Sequence, residues 1–175
     1  MFRTAIAALV ALLLTCVGLG AASTDPSASV PIPNLHLLLF GAPRFIVNDA
    51  ILGAIRRVAR PRCDTVFTEY KDGAGQPLAA NLAASGKTAG EYLAELRFAD
   101  GTNMRQCDAE QVVAATRPGS HVIFICGSRF ERQFRPDLAA GEIMIVHELL
   151  HSLGLGENPP SSMEITATVT ARCGD

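Results

Sequence analysis

At 175 residues the chain is long enough for one domain, and a composition that is 49% hydrophobic can fill a sizeable core. Fifteen basic and 17 acidic side chains leave a formal charge of −2, with no basic cluster of the kind nucleic acid requires. The absence of tryptophan, with only 6% aromatic residues, argues against a carbohydrate-stacking platform.

The chain opens with Arg3, an apolar run from Ala5 to Val17, and the small residues Gly20-Ala21-Ala22. This order reads as a secretory signal peptide over residues 1–22, with a retained anchor as the competing reading. Lipidation at Cys16 is disfavoured, because Leu14-Thr15 make a poor lipoprotein cleavage signal. The run is short for a bilayer span and no second one follows, so a secreted or periplasmic protein without stable membrane insertion is expected. Residues 23–34, rich in Ser, Pro and Ala, form a linker. A single domain then covers 35–175.

Four cysteines remain beyond the signal, Cys63, Cys107, Cys126 and Cys173. In an exported chain an even count predicts two disulfides, with three pairings open. The preferred pairing is Cys63–Cys107 with Cys126–Cys173, which would tie the C-terminus to the sheet. No C-x-x-C spacing occurs, which argues against a cysteine zinc site.

Leu35 to Phe40 is the first packed segment, and Gly41-Ala42-Pro43 breaks it. His36 within it reads as structural. Asn48 or Asp49 caps a helix running to about Arg60, since Ile51, Leu52, Ile55 and Val58 recur at helical spacing; Pro61 ends it. Arg56, Arg57, Arg60 and Arg62 fit that helix end, where cations suit the dipole. The type of the Cys63–Tyr70 segment stays open, and Lys71 to Gly75 is a turn. Short helices are expected over Pro77–Ala84 and Thr88–Leu96, the latter with Thr88 and Glu91 at capping-box spacing. Gln111–Thr116 and His121–Cys126 are extended runs joined by Arg117-Pro118-Gly119-Ser120, a type II turn. The continuous apolar run Val122–Ile125 suits a strand covered on both faces. Phe130–Pro136 is a loop or short helix, and Asp137 starts a long one. The layout is α+β, with small helices and a short sheet packed on a late functional helix.

That helix holds Ile143-Met144-Ile145-Val146-His147-Glu148-Leu149-Leu150-His151-Ser152-Leu153, stopped by Gly154. His147 and His151, four apart, project from one face a turn apart. Glu148 sits about 100° round the helix, within reach of a water at an ion held by both rings. This is the H-E-x-x-H arrangement, with two imidazole ligands and a glutamate general base. Burying two imidazoles and a carboxylate together without a cation would be costly, which argues against a purely structural role.

A catalytic zinc takes a third protein ligand. Glu157 follows His151 past two glycines that let the chain swing back. Glu164 opens a final helix running towards Cys173, but Ser161 and Glu164 stand at capping-box spacing, which offers it a structural task. Glu157 is therefore favoured.

His147-Glu148-x-x-His151-x-x-Gly154-x-x-Glu157 resembles the extended metzincin motif of zincin-type zinc metallopeptidases, with Glu157 where that pattern carries histidine or aspartate. The whole chain, with Gly156-Glu157-Asn158-Pro159-Pro160-Ser161-Ser162 after the motif, is similar to small secreted bacterial zinc peptidases. Met163 lies downstream as a weak counterpart of the Met-turn. The resemblance implies a zincin-like fold, a Zn2+ cofactor and hydrolysis of a peptide or protein substrate.

With zinc bound, Glu148 would take the proton of the attacking water and pass it to the leaving amine. Tyr70, Tyr92, His121 and Arg129 are candidates to stabilise the oxyanion, with nothing to separate them. The His121–Cys126 strand, or its hairpin partner, offers an edge for substrate backbone. Two alternatives stand beside the peptidase. One is an exported zinc-stabilised binding or structural domain without turnover. The other is a zinc amidase acting on cell-wall peptides.

Overall fold

The computed structural model describes Pro33–Asp175. The expected signal peptide, Cys16 and all of the linker before Pro33 lie outside the described residues. Within them the chain is α+β, with seven α-helices and one four-stranded mixed sheet.

Strand β1 (His36–Leu38) is followed by α1 (Ala42–Val58). The helix starts about two turns earlier than the Asn48/Asp49 cap implied. Pro43, read from sequence as a break, occupies its first turn, where a missing N–H costs nothing because those donors have no intrahelical partner. A 3-10 turn (Pro61–Asp64) and α2 (Thr65–Glu69) resolve the Cys63–Tyr70 segment. Then come α3 (Leu78–Ala84), α4 (Ala89–Glu95), β2 (Arg97–Asp100) and a second 3-10 turn (Arg105–Asp108). The hairpin β3 (Ala114–Thr116) and β4 (Val122–Ile125) precedes α5 (Gly127–Phe134), α6 (Leu138–Ser152) and α7 (Ser162–Cys173).

Local chemistry sets several boundaries. Thr88 and Glu91 form a reciprocal capping box on α4, and Ser161 and Glu164 form another on α7. Asp137 caps α6 by accepting from the Ala140 N–H at 3.1 Å. Such caps are worth about 1 kcal/mol each. The hairpin turn closes through the Ser120 N–H and the Arg117 carbonyl at 2.9 Å.

The sheet order is β1-β2-β4-β3, with β1, β2 and β4 parallel and β3 antiparallel to β4. One face is fully covered. Phe98, Ile123 and Ile125 are buried on the α6 side, in one core with Val47, Ile51, Val146, Leu149 and Leu150. The opposite face is not. Val122 and Phe124 remain half-buried, so the apolar β4 run is not sandwiched as its composition implied. Because β4 lies between β2 and β3, only its partner β3 offers a free edge on that side.

Helices α1 and α6 approach closely at Gly53, where a Cβ would collide with the Glu142 side chain. The Glu142 carboxylate instead accepts from Arg57 Nε at 2.6 Å. Arg57 also donates to the Cys173 carbonyl at 3.0 Å. Removing one partner of such a buried pair costs about 3–5 kcal/mol, because the other charge is left without compensation.

The disulfides are Cys63–Cys173 and Cys107–Cys126, with Cα–Cα distances of 4.6 and 5.5 Å. This corrects the expected Cys63–Cys107 and Cys126–Cys173 pairing. Cys63, in the first 3-10 turn, meets the last residue of α7, while Cys107 in the second 3-10 turn meets Cys126 just past the end of β4. The C-terminus is therefore tied to the first helical layer, not to the sheet. Two disulfides fit an oxidising compartment. Among the described residues no helix is long and apolar enough to cross a membrane.

Candidate metal centre

Helix α6 positions the motif by burying Ile145, Val146, Leu149 and Leu150, which leaves His147, Glu148 and His151 facing β3 and the start of α7. All three are at least 95% buried. Their neighbours fix the rings. The Leu155 carbonyl stands 2.8 Å from His151 Nδ1 and can only accept, so that nitrogen carries the proton and Nε2 presents a lone pair. His147 Nδ1 lies 2.9 Å from Thr166 Oγ1, a hydroxyl able to donate or accept. The two Nε2 atoms are 3.0 Å apart.

Glu157 Oε1 completes a triangle, 3.6 Å from His147 Nε2 and 3.3 Å from His151 Nε2. Donors on a tetrahedral ion with bonds of about 2.0–2.1 Å are separated by about 3.3 Å, so the spacing fits. A single proton between the Nε2 atoms satisfies both rings. Shifting it to His147 Nδ1, where Thr166 accepts it, turns both lone pairs towards a point shared with Glu157. His147, His151 and Glu157 can therefore hold a metal ion.

The turn delivering Glu157 is built by Gly154. Its φ of +110° closes the end of α6, with the Gly154 N–H donating to the His151 carbonyl at 2.9 Å and the Leu155 N–H to the Leu150 carbonyl at 3.1 Å. These are the paired bonds of a Schellman motif, with Leu150 and Leu155 both buried. Other elements hold the same helix end. The Gly119 N–H donates to the His151 carbonyl, Tyr92 Oη to the Ser152 carbonyl and Asn81 Nδ2 to the Leu153 carbonyl. Asp72 orients Asn81 at 2.9 Å.

Glu148 is buried, and its Oε2 has no hydrogen-bond partner. Burial pushes its carboxyl up to about 7, opposed by His151 and by the nearby Thr116 hydroxyl. Thr116 Oγ1, from β3, is likewise buried and unpartnered; it lies near Glu148 without completing a hydrogen bond. Burial, with His151 beside it, pulls His147 down to about 3, so its ring is neutral and available as a ligand.

Glu164 is not brought to the cluster. Its Oε2 accepts from the Ser161 N–H and Oγ at 2.8 and 2.7 Å. Met163, exposed in the first turn of α7, also stays apart. The four oxyanion candidates are engaged elsewhere. Tyr70 Oη donates to the Glu164 carbonyl at 3.4 Å, Tyr92 to the Ser152 carbonyl, and His121 packs against the Tyr92 ring. His36 is exposed on β1, at the opposite edge of the sheet.

Arg129 donates to the carbonyls of Cys107, Ala109 and Val112 at 2.5–3.1 Å. It thereby braces the chain that faces the metal cluster. That stretch, from Arg105 through Pro118, walls a cleft of about 560 Å3 whose floor contains His147, Glu148, His151 and Glu157. The far wall thus comes from residues before the motif, anchored by Arg129 and by Cys107–Cys126. The periodicity of the sequence carried no sign of it.

Comparison with protein-family models, with curated proteins and with solved structures finds no match.

Proposed function

We propose that this protein is an exported zinc-dependent metallopeptidase of zincin-like fold, cleaving peptide bonds in the cleft between α6 and β3. One observation carries the reading: a buried carboxylate without a partner, Glu148 Oε2, stands beside three metal-ligating side chains in an open cleft. A structural zinc site is normally closed by four protein ligands, whereas three ligands and an accessible cleft suit catalysis. Zinc is favoured over harder cations because two of the three donors are imidazoles.

When bound, zinc would polarise the scissile carbonyl and acidify water. Glu148, buried beside the ligand set with its Oε2 unpartnered, is suited to accept the water's proton and then deliver it to the leaving amine. Thr166 and the Leu155 carbonyl orient the ligand rings. β3, as the outermost strand lining the cleft, offers its edge for the substrate main chain.

The test is metal analysis of purified, tag-free protein combined with digestion of a broad peptide library. The expected result is one zinc per chain, with hydrolysis lost and metal retained in Glu148→Gln. Absence of stoichiometric zinc refutes the centre. A zinc-loaded wild type that cleaves no peptide supports the binding-domain alternative, and cleavage restricted to peptidoglycan fragments supports the amidase.

A further inference from the structure

The metal cleft does not end at β3. A second hollow of about 720 Å3 lies over the outer face of the hairpin, lined by Val122 and Phe124, and shares Gln106, Ala115, Thr116 and Pro118 with the first. The two make one trough bent round the edge strand, and each part has the volume of a ligand pocket.

Its charge is one-sided. Apart from Glu148 and the three metal-ligating residues, the charged side chains on the lining are Arg105 in the metal cleft and Arg117 in the outer hollow. Both are exposed, and neither has an ion-pair or side-chain hydrogen-bond partner among the described residues. Asp108 and Glu110, close to Arg105 in the chain, are absent from the lining. Arg105 also stands on fixed backbone, two residues before Cys107, whose disulfide and carbonyl are both held. A guanidinium presented this way matches carboxylates by its forked donors.

We propose that the trough selects an extended acidic peptide, with Arg105 meeting a carboxylate inside the metal cleft and Arg117 a second one beyond β3. The inference rests on the peptidase reading and names its substrate class. Cations along a concave wall also raise the local concentration of acidic segments.

Zinc-loaded Glu148→Gln allows binding to be read without turnover. Fluorescence anisotropy would compare matched peptides carrying Glu, Gln or Lys at alternate positions. The Glu peptide is expected to bind about tenfold tighter than the Gln peptide at low salt, with the gap narrowing as salt is added. Adding Arg105→Gln and Arg117→Gln should bring the two peptides to parity, and Arg105→Glu with Arg117→Glu should favour Lys. These exposed substitutions leave the core untouched, and circular dichroism checks that. Equal binding of Glu and Gln peptides, or a preference that survives both Gln substitutions, overturns the inference while leaving the peptidase reading intact. If no peptide binds although wild type hydrolyses the library, the inference alone fails. If neither binding nor hydrolysis occurs, both fail.

Discussion

Replacing Gly154 by alanine tests whether the end of α6 builds the metal site. A side chain at φ +110° is strained, by about 1–2 kcal/mol on the scale of left-handed residues. The added Cβ would also stand 3.0 Å from Asp72 Cβ, an overpacking contact costing about 1–3 kcal/mol. Together these predict a loss of about 2–5 kcal/mol, roughly 5–20 °C in Tm. Gly156 supplies the control. It has no positive φ, nothing lies within 4 Å of its would-be Cβ, and its alanine variant should stay within about 0.5 kcal/mol of wild type. Urea unfolding of the disulfide-intact proteins in chelator measures both. Zinc competition should show a parallel loss of affinity in Gly154→Ala of about 10- to 100-fold, because the same turn supplies the Leu155 carbonyl to His151. Equal stability of the two variants would refute the reasoning.

The buried titratable groups predict how metal-free stability depends on pH. His147 is held at about 3 against an ordinary 6.5, so the unfolded chain binds its proton first and stability falls as pH drops from about 6.5 towards 3. Glu148, raised from 4.5 to about 7, acts oppositely: its contribution is full below 4.5 and is lost as pH rises towards 7. Glu148→Gln in chelator should therefore exceed wild type by up to about 3 kcal/mol at about pH 8 and match it at about pH 4. A difference independent of pH in urea titrations contradicts the burial argument. Thr166→Val should weaken zinc about 10- to 100-fold while changing stability by no more than about 1 kcal/mol, with Thr166→Ser restoring affinity. Unchanged zinc competition in Thr166→Val would remove Thr166 from the centre.

Features governed by local chemistry were legible in the residues. Thr88 with Glu91 and Ser161 with Glu164 mark helix starts within three residues, and the side chains that complete each cap are adjacent. Arg117 to Ser120 marks its turn in the same way. The His147/His151 spacing also places two rings together without any tertiary information. Pro43 was misread because proline both ends segments and opens helices, and the local pattern does not separate the two. The disulfide pairing depended on where α7 returns beside the first 3-10 turn, with Cys173 110 positions after Cys63. Thr166 and Arg129 are ordinary in sequence. One becomes a histidine's partner and the other a brace only because distant backbone arrives beside them.

The brace at Arg129 has an evolutionary consequence. It reads main-chain oxygens alone, and the covalent link beside it fixes only Cys107. Side chains at positions 105, 106, 109, 111 and 112 can therefore be exchanged without disturbing what holds their backbone. On the proposed peptidase reading, the helix that would perform the chemistry is separate from the segment that would choose a target. On that reading, single substitutions in the segment would alter target preference while α6 stayed as it is.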